Sequence, residues 1–454
     1  MGALEDRLID YAASLDVRAL PGEVVHHAKR RVIDTFGAAL AAYSAPPVQI
    51  ARKLAQPVAG PFGARVWGSL VKTTPDLAAF ANGVMLRYLD INDTHRTLDG
   101  AHPSDNLSGI LAVAEAIGAS GLDLIQALVI SYEIQCRFVD SVPFNEAGWD
   151  QPVPGVMACA LAIGRLLELS PTQMQNALAL AIIPNLCTYQ TRAGELSMWK
   201  GCAAANGARQ GVFAALLARE GMVGPYEPFD GVFGLWKQTM GKPHEVKPFA
   251  TATNGIRFGI TETNIKRHPV RDSCQLPSDT ALALRRKLVP GDIASVLIET
   301  YRSAYFGAVE DPELWAPKTR ETADHSMPVT VAMILIDGAI TPATFSTERF
   351  KAPDVLSLIG RTKVEVSPEF TAAAPGVRNC RITATLKDGS TQQAQIGWTR
   401  DDIARGLSDA EIEEKFAGLT RDVIEPVRRR ALIERLWKLE TVEDVTTVVD
   451  QLGI

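Results

Sequence analysis

The spacing of apolar residues divides the chain into two parts. From the N-terminus to about residue 220, apolar positions recur about every 3.6 residues, which is the spacing of an amphipathic helix. This pattern predicts helices at residues 3–15, 21–42, 75–87, 105–119, 122–139, 153–168, 172–183 and 199–219. We therefore expect the first half of the protein to be almost entirely helical.

Some of these predicted helices are rich in alanine and glycine. The segments GVMACALAIGRLL (155–167) and GCAAANGARQGVFAALLA (201–218) carry few polar residues. Small side chains let neighbouring helices approach closely, so we expect these helices to be buried, in part against a second subunit. The Gly- and Pro-rich segment 221–234 breaks the helical pattern and predicts a shaped loop.

After about residue 265 the apolar spacing changes to an alternating one. Segments 293–303, 362–367 and 381–386 predict strands, and Lys387-Asp388-Gly389-Ser390 predicts a hairpin turn into a partner strand, TQQAQIGW. We expect a four-stranded antiparallel sheet, with residues 326–340 forming a helix that covers one face. Segments 422–440 and 442–452 predict further helices.

These elements predict a mainly α fold with an α+β lid. Residues 1–265 and 401–454 would form a large helical domain built from both ends of the chain. Residues 266–400 would form the lid around the four-stranded sheet. A cleft between the two domains is the expected binding site.

Composition and charge exclude several classes of protein. The chain has 454 residues, 46% hydrophobic and 22% charged, and a net charge of -6, so it lacks the basic field that nucleic acids and anionic membranes require. Its six cysteines are scattered, with no spacing typical of zinc sites, and we expect reduced thiols in the cytoplasm. The N-terminus lacks a signal-peptide pattern, and no apolar run reaches the roughly 18 residues of a membrane span.

The most polar stretch of the chain lies between two predicted helices, at Tyr88–Asn106. The sequence YLDINDTHRTLDGAHPSDN contains four aspartates and two histidines in nineteen residues. Such groups exchange protons near neutral pH, which favours an active site. The alternative is a solvated loop in which Asp and Thr cap the neighbouring helices.

Five blocks of the sequence together resemble the MmgE/PrpD family. They are LDINDT, GAHPSDN, MWKG, GPYEPFDGVFG and RETADHSMP. HPSDN and ETADHS are most similar to the 2-methylcitrate dehydratase branch, while the order of blocks is shared with cis-aconitate decarboxylases and iminodisuccinate epimerases. The resemblance implies a helical domain with an α+β lid, a homodimer, a di- or tricarboxylate substrate, and neither a metal nor an organic cofactor.

Dehydration of a 2-methylcitrate-like hydroxy tricarboxylate needs a base, an acid and cations. The resemblance places Asp90, Thr94 and His102 at the active site. Asp90 and Asp93 are three residues apart, so on a helix both would lie on one face, and paired carboxylates raise the pKa of one of them. The alternative is a helix-terminal turn in which both aspartates bond nearby backbone.

Two histidines are candidates for proton transfer. His102 precedes Pro103, which favours an extended conformation just ahead of a helix capped by Ser104 or Asp105. With Asp90 expected nearby, His102 is our candidate base. His325 begins the predicted lid helix, where it would donate a proton or belong to a capping arrangement that anchors the lid.

The expected carboxylate-binding groups come from both domains. Lys200 falls in the first turn of a helix if Ser197 is its N-cap, which would join an ammonium to a helix N-terminus in one anion site. Lys266 stands at the domain boundary. The remaining candidates for substrate binding are Arg271 and Gln275, expected in one loop with Lys266, together with Gln151 and Ser104.

The sequence departs from the family at two positions. Gln151 and Ser273 stand where relatives tend to carry histidine, so more of the proton transfer is expected to fall on His102 and its aspartates. Two other functions remain open at this point. One is a decarboxylase or an epimerase of the same superfamily, and the other is a catalytically silent paralogue that acts as a binding subunit.

Overall fold

A computed structural model describes residues 3–454. In the first half of the chain the helices are α1 (Ala3–Ser14), α2 (Gly22–Ala41), α3 (Pro46–Leu54), α4 (Pro75–Arg87), α5 (Leu107–Ile117), α6 (Gly121–Val139), α7 (Pro152–Leu166), α8 (Pro171–Ile182), α9 (Trp199–Arg219), α10 (Leu235–Thr239) and α11 (Gly259–Glu262). The eight long helices predicted from the apolar spacing are confirmed to within a few residues. Segment 221–234 contains no helix or strand, as predicted. The sequence analysis missed α3.

The second half of the chain mixes helices with strands. Its helices are α12 (Asp272–Arg285), α13 (Arg302–Ala308), α14 (Arg320–Ala323), α15 (Met327–Asp337), α16 (Pro342–Ser346), α17 (Pro353–Ile359), α18 (Pro368–Ala373), α19 (Arg400–Arg405), α20 (Asp409–Leu419), α21 (Pro426–Leu436) and α22 (Thr446–Val449). The strands of the whole chain are β1 (Ala64–Arg65), β2 (Lys72–Thr73), β3 (Asp93–Arg96), β4 (Gly100–Ala101), β5 (Asn264–Ile265), β6 (Ile293–Thr300), β7 (Thr362–Val366), β8 (Val377–Leu386) and β9 (Thr391–Thr399).

The glycines and alanines of the first half allow close helix contacts. A Cβ added at Gly83 in α4 would lie 2.7 Å from the Cβ of Ala205 in α9. A Cβ added at Gly211 in α9 would lie 2.8 Å from the Cβ of Cys159 in α7. The small residues of these helices are buried, as the sequence predicted.

The four-stranded sheet is mixed, so the prediction of a purely antiparallel sheet was wrong. Its strand order is β7-β6-β8-β9, and the pairs β6–β8 and β8–β9 are antiparallel. The pair β6–β7 is parallel. The chain between these two strands runs through α13 to α17, and such a long crossover returns it in the same direction. The predicted hairpin turn at Lys387–Ser390 joins β8 and β9, with Gly389 in the left-handed region at φ 85°.

Two hydrophobic cores hold the molecule together. The larger contains the first-half helices and residues from Leu407 to Leu452, so the C-terminal helices pack on the N-terminal ones. The smaller runs from Val270 to Ala394 and packs the four-stranded sheet against α12 and α15. The exact domain bounds of the sequence analysis stay a prediction. Across residues 3–454, the longer helices fall short of the apolar character needed to cross a bilayer.

The polar stretch Tyr88–Asn106 forms short strands instead of continuing α4. Strand β3 pairs antiparallel with β4 and with β5, which joins the stretch to the chain just ahead of Lys266. Asp90 has a positive φ of 51° and lies in the turn after α4, while Asp93 begins β3. The predicted helical face shared by Asp90 and Asp93 was therefore wrong, because α4 ends at Arg87.

Candidate active site

A small cavity of about 60 Å³ lies where the β3–β4–β5 sheet meets the loop before α9 and the N-terminal ends of α12 and α15. Its lining residues are Arg87, Asp90, Thr94, Arg96, Gly100, Ala101, His102, Asn145, Asp150, Gln151, Tyr189, Arg192, Lys266, Arg271, Asp272 and His325. Seven of these were candidates from the sequence: Asp90, Thr94, His102, Gln151, Lys266, Arg271 and His325. The cavity is therefore where most of the predicted site residues come together.

Asp90 is buried at the centre of a group of cations. Its Oδ1 accepts hydrogen bonds from Arg87 Nη1 and Lys266 Nζ, and its Oδ2 lies 3.1 Å from Lys200 Nζ. Burial alone would raise the pKa of Asp90, but Arg87, Lys200 and Lys266 outweigh it and hold the pKa well below its ordinary value. Asp90 is thus ionised, and it is not the carboxyl whose pKa the pairing was expected to raise.

Asp93 and Ser104 lie behind the cavity instead of lining it. Asp93 accepts hydrogen bonds from Ser104 Oγ at 2.6 Å and from Tyr132 Oη at 2.7 Å. Ser104 therefore does not face a ligand, and neither it nor Asp105 caps the following helix through its side chain. Both residues anchor β3, whose backbone in turn orients His102.

His102 is held in one tautomer by the backbone of β3. Its Nδ1 lies 2.7 Å from the carbonyl oxygen of Asp93, and because a carbonyl only accepts, Nδ1 carries the proton. Burial, Arg87 and Lys266 lower the pKa of His102 well below its ordinary value. Among residues 3–454, Nε2 has no hydrogen-bond partner, so it is a free lone pair on a cavity-lining imidazole.

His325 also lines the cavity, and its ring is held by a neighbouring carboxylate. Its Nδ1 lies 2.6 Å from Asp324 Oδ1, and burial followed by the charge of Lys200 lowers its pKa to about 3. His325 is therefore neutral at pH 7, with an Nε2 that accepts a proton more readily than it donates one. Of the two roles expected for His325, direct proton donation is not supported by this protonation state.

Lys200 is buried and bound by the protein itself. Its Nζ lies 2.7 Å from Asp324 Oδ1 and 3.1 Å from Asp90 Oδ2, and its side chain is outside the cavity lining. Helix α9 begins at Trp199 with Met198 at the N-cap position, so Lys200 is in the first turn as predicted, although Ser197 is not the N-cap. The anion site expected at Lys200 is therefore occupied by two carboxylates of the protein itself, those of Asp90 and Asp324.

Gln151 uses both ends of its amide within the protein. Its Oε1 accepts a hydrogen bond from the backbone N–H of His102 at 2.8 Å, and its Nε2 donates to Asp105 Oδ2 at 3.0 Å. Burial raises the pKa of Asp105 to about 6, although Arg87 and Gln151 oppose that rise. Gln151 therefore lines the cavity but mainly holds the backbone of His102 in place.

Gln275 was expected beside Arg271 in a loop, and this prediction was wrong. Residue 272 begins α12, and the amide of Gln275 bonds the backbone of Arg267, His268 and Val270. Gln275 faces a different cleft. In the same helix, Cys274 is buried, which raises its thiol pKa and keeps it protonated, and the buried Ser273 Oγ finds no partner among the described residues.

Sequence reasoning missed three cavity arginines, Arg87, Arg96 and Arg192. Arg87 ends α4 and bonds Asp90, and its position three residues before Asp90 was the available signal. Arg192 belongs to the loop before α9, and its Nε lies 3.1 Å from Asp150 Oδ2. A loop arginine far from the polar stretch carries no local pattern that would reveal its position.

One group of potential metal ligands adjoins the cavity. Asp90, Asp324 and His325 each offer a ligand atom, and these atoms lie within 4.8 Å of one another. Lys200 already bridges both carboxylates, and Lys266 and Arg87 occupy the other oxygen of Asp90. A divalent cation would have to displace these positive charges, so the donor set fits an internal ion-pair network better than a metal site.

Both parts of the chain match the domains of one known family. The MmgE/PrpD N-terminal domain matches residues 6–247, and the MmgE/PrpD C-terminal domain matches residues 268–439. The chain belongs to the MmgE/PrpD family.

Named relatives fall into two activities. The chain is 27% identical to cis-aconitate decarboxylase of Homo sapiens over 457 residues, covering 96% of this chain and 92% of that protein. It is 29% identical to 2-methylcitrate dehydratase of Cupriavidus necator over 415 residues, covering 84% and 82%. It is 27% identical to 2-methylcitrate dehydratase of Escherichia coli K12 over 391 residues, covering 80% and 78%. The relatives are thus dehydratases and decarboxylases.

Proposed function

We propose that this protein is a cofactor-independent hydro-lyase that dehydrates a 2-methylcitrate-like hydroxy tricarboxylate. The observation that carries this proposal is the state of His102. Its proton is fixed on Nδ1 by the carbonyl of Asp93, which leaves Nε2 free in a cavity surrounded by cations. A neutral imidazole beside positive charges is suited to removing a proton from the carbon next to a carboxylate.

The proposed elimination removes a proton and a hydroxide from two neighbouring carbons of the substrate. His102 Nε2 takes the proton from the carbon α to a carboxylate, and the electron pair of that C–H bond forms the new double bond. The C–O bond at the neighbouring carbon breaks, and the departing hydroxide takes a proton to leave as water. Positive groups around the cavity stabilise the negative charge that grows on the carboxylate as the proton departs.

Lys266 is our candidate for the acid. Its ammonium lines the cavity, donates to the backbone oxygen of Asp90 at 3.1 Å and to Asp90 Oδ1, and is fully buried. Burial lowers the pKa of Lys266, although Asp90 opposes that shift, so proton donation is easier than from a lysine in water. Asp90 holds the ammonium in position, and the neutral His325 also lines the cavity.

Decarboxylation of cis-aconitate is the second candidate. The human relative of that name covers 96% of this chain, more than either dehydratase named above. The same cationic cavity would stabilise the carbanion left when carbon dioxide departs. An epimerase reaction on a dicarboxylate would need a base on each face of the carbon, and the neutral His102 and His325 supply two candidate bases.

Product analysis by mass spectrometry separates dehydration from decarboxylation, and epimerisation, which leaves the mass unchanged, is followed by uptake of deuterium from D₂O. The purified protein is incubated with racemic 2-methylcitrate, with cis-aconitate and with iminodisuccinate. Our proposal expects loss of water from 2-methylcitrate as the fastest reaction. Loss of carbon dioxide from cis-aconitate as the fastest reaction would replace the dehydratase with a decarboxylase. Tricarboxylate binding without turnover of any substrate would favour the silent paralogue.

A further inference from the structure

The cations near the cavity differ in whether they are already paired with an anion of the protein. Lys200 bridges Asp90 and Asp324 at 3.1 Å and 2.7 Å. Lys266 donates to the backbone and carboxylate of Asp90, and Arg87 donates to the same carboxylate. Each of these three positive charges is matched by a buried anion. A substrate carboxylate would have to compete with Asp90 for them.

Arg192 is different because one nitrogen of its guanidinium, Nη2, has no hydrogen-bond acceptor among the described residues. Its Nε lies 3.2 Å and 3.1 Å from the two carboxylate oxygens of Asp150, and its Nη1 donates to the backbone oxygen of Lys200 at 3.1 Å. Its Nη2 is buried without an acceptor in residues 3–454, and the side chain is only 8% exposed. The guanidinium is therefore fixed in place, and its Nη2 is a charged donor at the cavity without an acceptor among the described residues.

Arg271 supplies a second cation to the cavity lining. It immediately precedes α12, and its backbone N–H donates to the carbonyl of Asp324 at 2.9 Å. Across residues 3–454, its guanidinium forms no ion pair within 4 Å. A Cβ added at Gly307 would lie 3.3 Å from Arg271 Nη2, so the absence of a side chain at Gly307 leaves room for the guanidinium.

We infer that Arg192 and Arg271 are the specificity-determining residues that bind the substrate carboxylates, in place of the lysines predicted from the sequence. The inference rests on the proposed function, whose substrate it describes more closely. One arginine comes from the part matching the family's N-terminal domain and the other from the part matching its C-terminal domain. A ligand with two or more carboxylates could place one at each arginine. A guanidinium nitrogen without an acceptor can donate its N–H groups to a carboxylate oxygen.

Isothermal titration with tricarballylate tests the arginine pair without depending on turnover. Tricarballylate has three carboxylates but lacks the hydroxyl group that dehydration requires. The variants are Arg192→Lys, which keeps a positive charge for Asp150 but removes the free Nη2 donor, and Arg271→Gln. Arg209→Lys is the matched control, since Arg209 lies on the partly exposed face of α9, outside the cavity, and pairs with Asp76. Thermal melting of every variant checks that it is folded.

We expect the wild type and Arg209→Lys to bind tricarballylate equally, and both cavity variants to bind at least about tenfold more weakly. Affinity within twofold of wild type in either cavity variant would overturn the inference, and so would a wild type that does not bind the probe. If turnover is found but the variants bind normally, the proposed function stands and the arginine pair fails. If the variants lose binding and no substrate turns over, the arginine pair stands and the hydro-lyase fails.

Discussion

His102 owes its chemistry to the groups immediately around it. Asp93 fixes the proton on Nδ1 through its backbone carbonyl, and Gln151 fixes the backbone N–H. Burial and the charges of Arg87 and Lys266 keep the ring neutral. Gln151, one of the substrate-binding candidates from the sequence, therefore acts as a positioning contact for the backbone of His102.

The pH dependence of activity follows from the lowered pKa of His102. The neutral ring is the reactive form, and the protonated form accumulates only as pH falls below a pKa that lies well under 6.5. We expect kcat/KM for the productive substrate to be level between pH 8 and 6.5 and to fall only at lower pH. Steady-state kinetics at constant ionic strength measure this. An acid limb centred at pH 6.5 or above would show that burial does not depress the pKa of the base.

Replacing Lys266 by methionine removes the ammonium while keeping most of the side-chain volume. We expect kcat to fall by about 100-fold or more, because the cavity loses its candidate acid and one stabilising charge. Removing one partner of a buried ion pair also costs about 3–5 kcal/mol of stability. Lys363→Met, on the exposed side of β7, is the control. A kcat within threefold of wild type would exclude Lys266 as the acid.

Helices and strands differ in how far the sequence could predict them. Long helices such as α6 and α9 repeat their apolar pattern over several turns, and their bounds followed from the sequence. Strands β3, β4 and β5 contain two to four residues, too few to show an alternating pattern. The parallel pairing of β6 with β7 was also missed, because direction depends on a crossover through five intervening helices and not on the strand sequences.

The close contact between α4 and α9 predicts a cost for adding one methyl group. A Cβ at Gly83 would lie 2.7 Å and 2.9 Å from the Cβ and Cα of Ala205, so Gly83→Ala forces the helices apart. We expect the free energy of unfolding to fall by about 1–3 kcal/mol. Gly418→Ala in α20 is the control, since nothing lies within 4 Å of its added Cβ. Urea unfolding that finds the two variants equally stable would contradict this close packing.

The stability of α2 depends on pH through His27. Burial, followed by the charges of Arg31 and Arg30, lowers the pKa of His27 to about 3. His27 takes up a proton near pH 6.5 in the unfolded chain and only near pH 3 in the folded protein. The stability that comes from keeping His27 neutral is therefore fully present above pH 6.5 and is lost as the pH falls from 6.5 to 3. The free energy of unfolding of the wild type, compared with its value at pH 8, should therefore fall as the pH drops below 6.5. In His27→Gln this fall should be smaller by about 1.4 kcal/mol for each pH unit below 6.5. An unchanged slope in urea unfolding would contradict this.

Several large apolar side chains are exposed on the helical part of the molecule. Trp199 and Phe213 of α9 are 47% and 49% exposed, and Tyr226, Val232 and Phe233 in the following loop are more exposed still. Exposed apolar side chains are candidates for a contact surface with a second subunit. Following the family resemblance, we expect a homodimer, with light scattering giving twice the chain mass. Phe213→Glu should shift the protein toward a monomer, and Phe306→Glu in α13 should not. A monomeric wild type at micromolar concentration would contradict this expectation.

The cavity as a whole was only partly visible in the sequence. The polar stretch, the residue before α12 and the start of α15 supplied Asp90, His102, Arg271 and His325, because charged or histidine-containing motifs at element ends are recognisable. The sequence did not show which other residues of the protein contact these side chains. Lys200 was expected to bind a ligand carboxylate, but folding brings Asp324 to 2.7 Å from its ammonium. The sequence alone does not show which cations stay unpaired for a substrate, because that depends on which anions folding brings near them.

The role of His102 as the base is the central claim, and His102→Asn tests it most directly. The side-chain amide of asparagine can replace the Nδ1–H donor to the carbonyl of Asp93, while the Nε2 lone pair is lost. We expect kcat on the substrate identified by product analysis to fall by about 100- to 10,000-fold, with the melting temperature within about 2 °C of wild type. A variant with kcat near that of wild type would remove His102 from the mechanism.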